Sequence, residues 1–332
     1  MFPTSKSNSH LQRDVSTIPP AISPRLIRFK HIIVALILSI IFFFVFCFIA
    51  LHAYIAWVLS NPTVAPVYSN PMLAKGMAYE EVTFPAVDGS RNVNGWYIPA
   101  EEDGAKKTIV LSHGYGANRE ESWIPMYDLA HYAHQQNFNV IMFDYGFASQ
   151  NSRGVATGGK AESKQLLGAV QLAKQKGAQE VVVWGFSMGA GTALQAALVS
   201  DDIDAMILDS TFLLEPDTLY HNIQNQIDLP RQPTLQILTM LFPILNGTSL
   251  NSIPYQEVKT TDYDIPILFI HGTQDDKAPY PMAELLASNQ TNPNSDVWIV
   301  EDARHELIFR EHPKEYLRKV SMFLGNIQLA QQ

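Results

Sequence analysis

Apolar and polar residues alternate along this chain in three different ways. Residues 1–30 are rich in Ser, Pro and Asn, too poor in large apolar side chains to support a core, and are expected to form a disordered tail. From Ile32 to Leu51 there are twenty residues without an acidic or basic side chain, and the apolar character continues to Leu59. At 1.5 Å per residue such a helix crosses a ~30 Å hydrocarbon layer, so residues 31–59 are expected to be a transmembrane anchor. Tyr54 and Trp57 near its far end suit an interfacial aromatic belt. Pro62, Pro66 and Pro71 then predict an extended tether over 60–76.

After residue 77 short apolar runs alternate with helical patterns. The runs 81–87 and 93–98 flank Asp88-Gly89, a hairpin signal. Further strands are expected at 108–111, 139–143, 180–184, 205–208, 266–270 and 297–300, with helices near 121–136, 160–176, 190–199, 280–289 and 312–325. Short apolar runs bounded by turns and separated by helices predict an α/β domain over 77–328: a mostly parallel central sheet of about eight strands, covered on both faces. The stretch between Leu208 and Pro266 is too long for a simple crossover. Pro216, Pro230, Pro233, Pro243 and Pro254 break it into short helices, which predicts a small helical cap over about 212–262.

Charge changes the picture in two places. Lys6, Arg13, Arg25, Arg28 and Lys30 precede the apolar stretch, whereas the next basic residue is Lys75. The positive-inside rule therefore predicts a single-pass protein of the cell membrane, with a cytoplasmic N-terminus and an extracytoplasmic domain. A cleaved signal peptide would normally have an apolar region of only about 7–15 residues, and no small-x-small cleavage site follows Leu59. The net charge of −9 argues against nucleic acid as a partner. The one cysteine, Cys47, lies in the apolar stretch, so the large domain has neither disulfides nor a thiol nucleophile.

The chemistry is concentrated at Gly185-Phe186-Ser187-Met188-Gly189, directly behind Val181-Val182-Val183-Trp184. Glycines two positions either side of Ser187 let a strand turn sharply into a helix with the hydroxyl held clear, as in a nucleophile elbow. A serine needs a base, and the base needs an orienting carboxylate. His305 lies five residues beyond Val300 and Asp275 five beyond Ile270, so all three candidates sit past strand ends in the order Ser, Asp, His. Asp209, at the end of another strand, is the alternative acid; Asp276, Glu301 and Asp302 are weaker competitors. The backbone N–H groups of Met188 and Tyr115 are the candidate oxyanion donors, Tyr115 being flanked by Gly114 and Gly116. His113 and His271 follow strands but are expected to brace loops. His131, His134, His221 and His312 lack partner motifs, and no histidine pair has metal-ligand spacing with a carboxylate.

With these residues in place the chain resembles the α/β-hydrolase superfamily, and within it the membrane-anchored bacterial serine hydrolases, esterases and lysophospholipase-like proteins. The resemblance covers roughly 77–325 and rests on His113-Gly114-Tyr115-Gly116, Phe143-Asp144-Tyr145, the elbow, His271-Gly272-x-x-Asp275-x-x-x-Pro279 and Ala303-Arg304-His305. It implies the α/β-hydrolase fold and a Ser–His–Asp acyl-enzyme mechanism without cofactor or metal. One departure stands out: where relatives carry Asp-x-Arg-Gly-x-Gly-x-Ser, this chain reads Asp144-Tyr145-Gly146-Phe147-Ala148-Ser149-Gln150-Asn151-Ser152, with no arginine at that place. The expected activity is hydrolysis of carboxylic esters, small-molecule or lipid acyl esters. A serine peptidase on the same fold and a non-catalytic ligand-binding membrane protein are the alternatives.

Overall fold

The computed structural model describes residues 24–102 and 104–330. The expected tail over 1–30 therefore lies mostly outside the described residues. The chain divides into two compact units between Ala50 and Leu51. To the first belongs most of the helix α1, Pro24–Ser60. Its stretch Arg28–Ser60 is long and apolar enough to cross a membrane, with mean hydropathy 3.4 in its most apolar window and none of that window buried.

The second unit is built on an eight-stranded sheet. Its strands are β1 Glu80–Pro85, β2 Asn92–Ile98, β3 Lys107–Ser112, β4 Asn139–Phe143, β5 Glu180–Phe186, β6 Ala205–Asp209, β7 Ile267–Gly272 and β8 Asp296–Val300. The order across the sheet is β1-β2-β4-β3-β5-β6-β7-β8. The hairpin β1–β2 and the pair β2–β4 are antiparallel, and every later pairing is parallel. The other helices are α2 Pro71–Lys75, α3 Met126–Gln135, α4 Lys160–Gln175, α5 Met188–Ala197, α6 Pro216–Gln224, α7 Arg231–Asn246, α8 Tyr255–Thr260, α9 Pro281–Ser288, α10 Ile308–Glu311 and α11 Pro313–Ala330.

Strand side chains point alternately to opposite faces, and both faces are apolar because helices cover both. Val110, Val181 and Val183 join a cluster with Leu166 and Val170 of α4 and Leu194 of α5. Ile109, Leu111, Val182 and Trp184 join another with Leu129 of α3 and Tyr316, Val320 and Phe323 of α11. The parallel strands therefore read as continuous apolar runs rather than alternating ones.

Two expected segments differ in character from what the sequence suggested. Residues 60–76 are not a free tether but are laid along the second unit. Asn118 Nδ2 donates to Ala65 O at 2.8 Å, Arg153 donates to Pro62 O, and Tyr68 N donates to Glu120 Oε2 at 2.6 Å. The prolines suit this path, because a segment bonded mainly through its carbonyls does not need the N–H groups that proline lacks. The end of α1, from Leu51, also belongs to the second unit. Ala56 is fully buried in a third apolar cluster with Leu219, Ile223, Leu235, Leu238 and Phe242 of α6 and α7, the helices in the stretch expected to form a cap. The expected anchor over 31–59 thus runs into residues that form part of the domain.

Candidate active site

Ser187 occupies the turn between β5 and α5 at φ 48° and ψ −117°. A non-glycine residue is strained there, and the neighbourhood must hold it. It does so by close packing: a Cβ on Gly189 would lie 2.1 Å from Ser112 O, and one on Gly185 2.7 Å from Ala190 Cα. Ser187 N donates to Asp209 O at 2.9 Å, tying the turn to β6. Ser210, Glu306 and Glu121 also have positive φ, at 52°, 57° and 31°.

The loop after β8 brings His305 to Ser187, with Nε2 2.9 Å from Oγ. The loop after β7 brings Asp275 to the other side of the ring, with Oδ2 2.6 Å from Nδ1. Asp275 is fixed in turn, since its Oδ1 accepts from Lys277 N at 2.9 Å and Ala278 N at 2.7 Å. The network assigns the proton to Nδ1, leaving Nε2 to accept from the serine hydroxyl. Burial alone would raise the Asp275 carboxyl, but hydrogen bonds from His271 and His305 hold it well below the usual range. Burial works against a charged His305, yet the Asp275 hydrogen bond and the nearby Glu306 charge carry its pKa above the ordinary imidazole value.

The remaining candidates separate clearly. Asp209 is buried at the end of β6, where it accepts from Tyr316 Oη and Ser210 Oγ, both at 2.8 Å. Burial raises it to about 6, against those two hydrogen bonds. It makes no hydrogen bond to His305 among the described residues. Ser210 Oγ accepts from Glu306 N at 2.9 Å, so Asp209 supports the backbone beside His305 instead. Met188 is the first residue of α5, whose N–H has no intrahelical acceptor. Tyr115 lies in the turn after β3, and a Cβ on neighbouring Gly114 would come within 3.4 Å of Ser187 Cβ.

His113 and His271 brace loops. His113 Nδ1–H donates to Gly114 O at 2.9 Å, and its Nε2 accepts from Tyr145 N at 3.0 Å. Burial lowers its pKa to about 4 and keeps it neutral. His271 Nε2 lies 2.6 Å from Ala278 O and 3.1 Å from Asp275 Oδ2, steadying the loop after β7. The loop after β4 lacks its arginine, and two others serve it. Arg119 pairs with Asp144 Oδ2 at 2.7 Å. Arg91 donates to Ser152 O at 2.7 Å, its guanidinium filling the space that side chains on Gly146 and Gly154 would need.

Two glutamates went unnoticed in the sequence. Glu306 Oε2 accepts from Trp123 Nε1 at 2.5 Å and lies 3.9 Å from His305 Nε2. Its Oε1 and Glu121 Oε1 are both buried without a hydrogen-bond partner among the described residues. A Cβ on Gly114 would meet both, at 2.6 and 3.3 Å. Burial, reinforced by the charge of Glu306, raises Glu121 well above a normal carboxyl. Burial raises Glu306 to about 7, against the pull of His305 and Trp123. Two such carboxylates avoid mutual repulsion by retaining a proton. Adjacency to His305 was the only signal for Glu306, and Glu121 had none.

Ser187 and His305 open into a cavity of about 1010 Å³. One part of its lining is apolar, from Leu59, Leu214, Leu219 and Phe242. Another is polar, from Asn222, Gln226, Asp276 and Lys277.

A family model described as alpha/beta hydrolase fold matches residues 107–232. The chain is 29% identical over 251 residues to the uncharacterized protein YfhR of Escherichia coli strain K12, covering 72% of this chain and 80% of that one. It is 26% identical over 240 residues to the uncharacterized protein YqkD of Bacillus subtilis strain 168, covering 71% and 76%. Among solved structures it is similar to the Pyrococcus furiosus esterase Pf2001, with TM-score 0.65 and 22% identity over 80% of this chain and 99% of that one. It is also similar to Est1E from Butyrivibrio proteoclasticus, with TM-score 0.55 and 15% identity over 73% and 97%. At these identities the structural likeness concerns the fold.

Proposed function

We propose that this chain, which has the α/β-hydrolase fold, is a membrane-anchored serine hydrolase of carboxylic esters. The observation that carries the reading is the continuous hydrogen-bonded line Ser187 Oγ–His305–Asp275, with spacings of 2.9 and 2.6 Å. In this reading Ser187 Oγ attacks the acyl carbonyl while His305 Nε2 takes its proton. Asp275 holds the Nδ1 proton and stabilises the imidazolium. The N–H groups of Met188 and Tyr115 receive the negative charge that develops on the carbonyl oxygen, where one lost donor costs roughly 10²–10³ in kcat. His305 then protonates the departing alkoxide, giving alcohol and an acyl-serine. Water, deprotonated by His305, releases the acid and restores Ser187.

Two features favour a membrane location: the apolar helix within Arg28–Ser60 and the basic residues that precede it without counterpart before Lys75. The packing of Ala56 into the cap favours an uncleaved helix, because cleavage beyond it would strip a buried wall from the domain. The orientation proposed is a cytoplasmic N-terminus with the catalytic unit outside. Protease digestion of intact and opened cells tests it; protection of the large unit in intact, permeable-walled cells would refute it.

A peptidase on this fold would need a charged group free to hold a peptide terminus. Of the charged residues at the cavity, Lys277 pairs with Asp276 at 3.3 Å, Arg304 pairs with Glu311 at 3.1 Å, and Glu306 accepts from Trp123. A purely ligand-binding protein has no use for a serine, base and acid aligned at hydrogen-bond distance. Labelling with a fluorophosphonate probe, abolished in Ser187→Ala, tests the enzyme reading, and absence of labelling in the folded protein refutes it. A panel of p-nitrophenyl esters beside matched amides tests the reaction class.

A further inference from the structure

The last turns of α1 contribute to the cavity that contains Ser187. Leu59 lines that cavity together with Leu214, Leu219 and Phe242; Leu219 and Phe242 belong to the apolar cluster in which Ala56 is fully buried, and Leu59 and Leu214 pack against it. The segment is bonded as well as packed. Tyr115 Oη donates to Val58 O at 2.8 Å, and Ala156 N donates to Ser60 O at 2.8 Å. His52 Nε2 lies 3.1 Å from Thr234 Oγ1 of α7. A helix end that served only as a spacer would not be tied to the cap, to the loop carrying a candidate oxyanion donor, and to the strand-to-helix loop at Ala156.

The cavity has two chemical poles. Its apolar pole is the α1–cap wall. At its other pole Asn222 Nδ2 donates to Lys277 O at 2.7 Å and Asn225 Nδ2 to Asp276 O at 2.7 Å, so cap and acid loop together present polar and charged groups. The volume of about 1010 Å³ stands at the top of the ~300–1,000 Å³ range of small-molecule sites. That leaves room for one flexible chain and a polar group, with the scissile carbonyl near Ser187.

Resting on the ester-hydrolase reading of Ser187, we propose that the end of α1 is the acyl-chain wall of this cavity and that Leu59 sets the chain length accepted. The substrate class is a single-chain acyl ester with a polar alcohol, the chain lying against Leu59, Leu214 and Phe242. Burial of each further methylene raises kcat/KM by about fourfold until the wall is filled.

The experiment uses the full chain in detergent micelles. The kcat/KM values for p-nitrophenyl butyrate and p-nitrophenyl dodecanoate are compared in wild type, Leu59→Phe and Leu59→Trp, each titrated by fluorophosphonate labelling to count active sites. The dodecanoate-to-butyrate ratio is expected to be well above one in wild type and to fall in order of side-chain volume, by at least tenfold in Leu59→Trp. Monoacylglycerol and a lysophospholipid of equal chain length distinguish a neutral from a phosphorylated alcohol, and cleavage of either over its two-chain counterpart supports the class. A wild-type ratio near one, or a ratio unmoved in both variants while labelling persists, overturns the proposal and leaves the serine-hydrolase reading intact. Failure of wild type to label overturns both. If Leu59→Trp alone fails to label, the Leu59→Phe ratio decides.

Discussion

Replacing Asp275 with Asn asks which carboxylate orients His305. Asp275 Oδ1 accepts two backbone N–H groups at 2.9 and 2.7 Å, so an asparagine keeps its carbonyl there. Its NH₂ then occupies the Oδ2 position, 2.6 Å from His305 Nδ1. Two donors cannot face each other, so His305 gives up its Nδ1 proton and carries it on Nε2, where it can no longer accept from Ser187. A wrong tautomer in a geometrically intact triad costs ~10⁴ in kcat, or about 5 kcal/mol of barrier. Asp209→Asn leaves His305 untouched but spoils one of the hydrogen bonds from Tyr316 and Ser210. It should lose less than tenfold in kcat and ~1–3 kcal/mol of stability. Steady-state ester hydrolysis, normalised to fluorophosphonate-reactive sites where labelling persists, and thermal unfolding separate the two. The acid limb of kcat/KM adds a second readout. Activity needs neutral His305, so it rises as pH climbs through a pKa that Asp275 and Glu306 hold above the imidazole norm. Asp275→Asn removes part of that support, and the limb moves to lower pH. A folded Asp275→Asn enzyme within tenfold of wild type, or a greater kcat loss in Asp209→Asn, would refute the assignment.

Other perturbations probe the strain and the buried acids. Ser187→Ala and Ser187→Gly both abolish turnover, but glycine tolerates φ 48° and should leave its variant about 1 kcal/mol more stable than the alanine one, by urea midpoints; equal stability would argue against stored strain. Gly189→Ala drives a Cβ to 2.1 Å from Ser112 O, and soluble, probe-reactive protein at wild-type yield would contradict that packing. Glu121 has a raised pKa in the folded state, so its proton contributes stability that is full below the normal carboxyl pKa and lost as pH rises through the raised value. Glu121→Gln cannot ionise; its stability relative to wild type should therefore improve between pH 5 and pH 8, and parallel stability–pH curves for the two proteins would count against a shared proton.

The parts of this molecule legible in its sequence are those set by local periodicity. Unbroken apolar runs marked the buried parallel strands, and Asp88-Gly89 marked the β1–β2 hairpin. The spacing of Ser187, Asp275 and His305 past strand ends pointed to side chains that the fold brings within hydrogen-bond distance. The helix expected from residue 121 begins instead at Met126, because Pro125 takes the N-cap position and Trp123 is drawn aside to Glu306. Glu121 and Glu306 were illegible for a physical reason: a glutamate's environment depends on contacts distant in sequence, and Trp123 meets Glu306 across 183 positions.

The end of α1 makes the same point more sharply. Leu51–Leu59 continues the helix with no Asp, Glu, Lys or Arg, and its apolar residues run on to Leu59. Apolar side chains, however, respond equally to lipid and to a protein core, since both remove them from water. What separates the two fates is polar bookkeeping: His52, the Val58 and Ser60 carbonyls and Asn61 need partners if taken out of water. The first three find theirs in Thr234, Tyr115 and Ala156. The few polar atoms in this otherwise apolar segment therefore mark where the helix becomes part of the domain, and they do so at the residues that reach the Ser187 cavity.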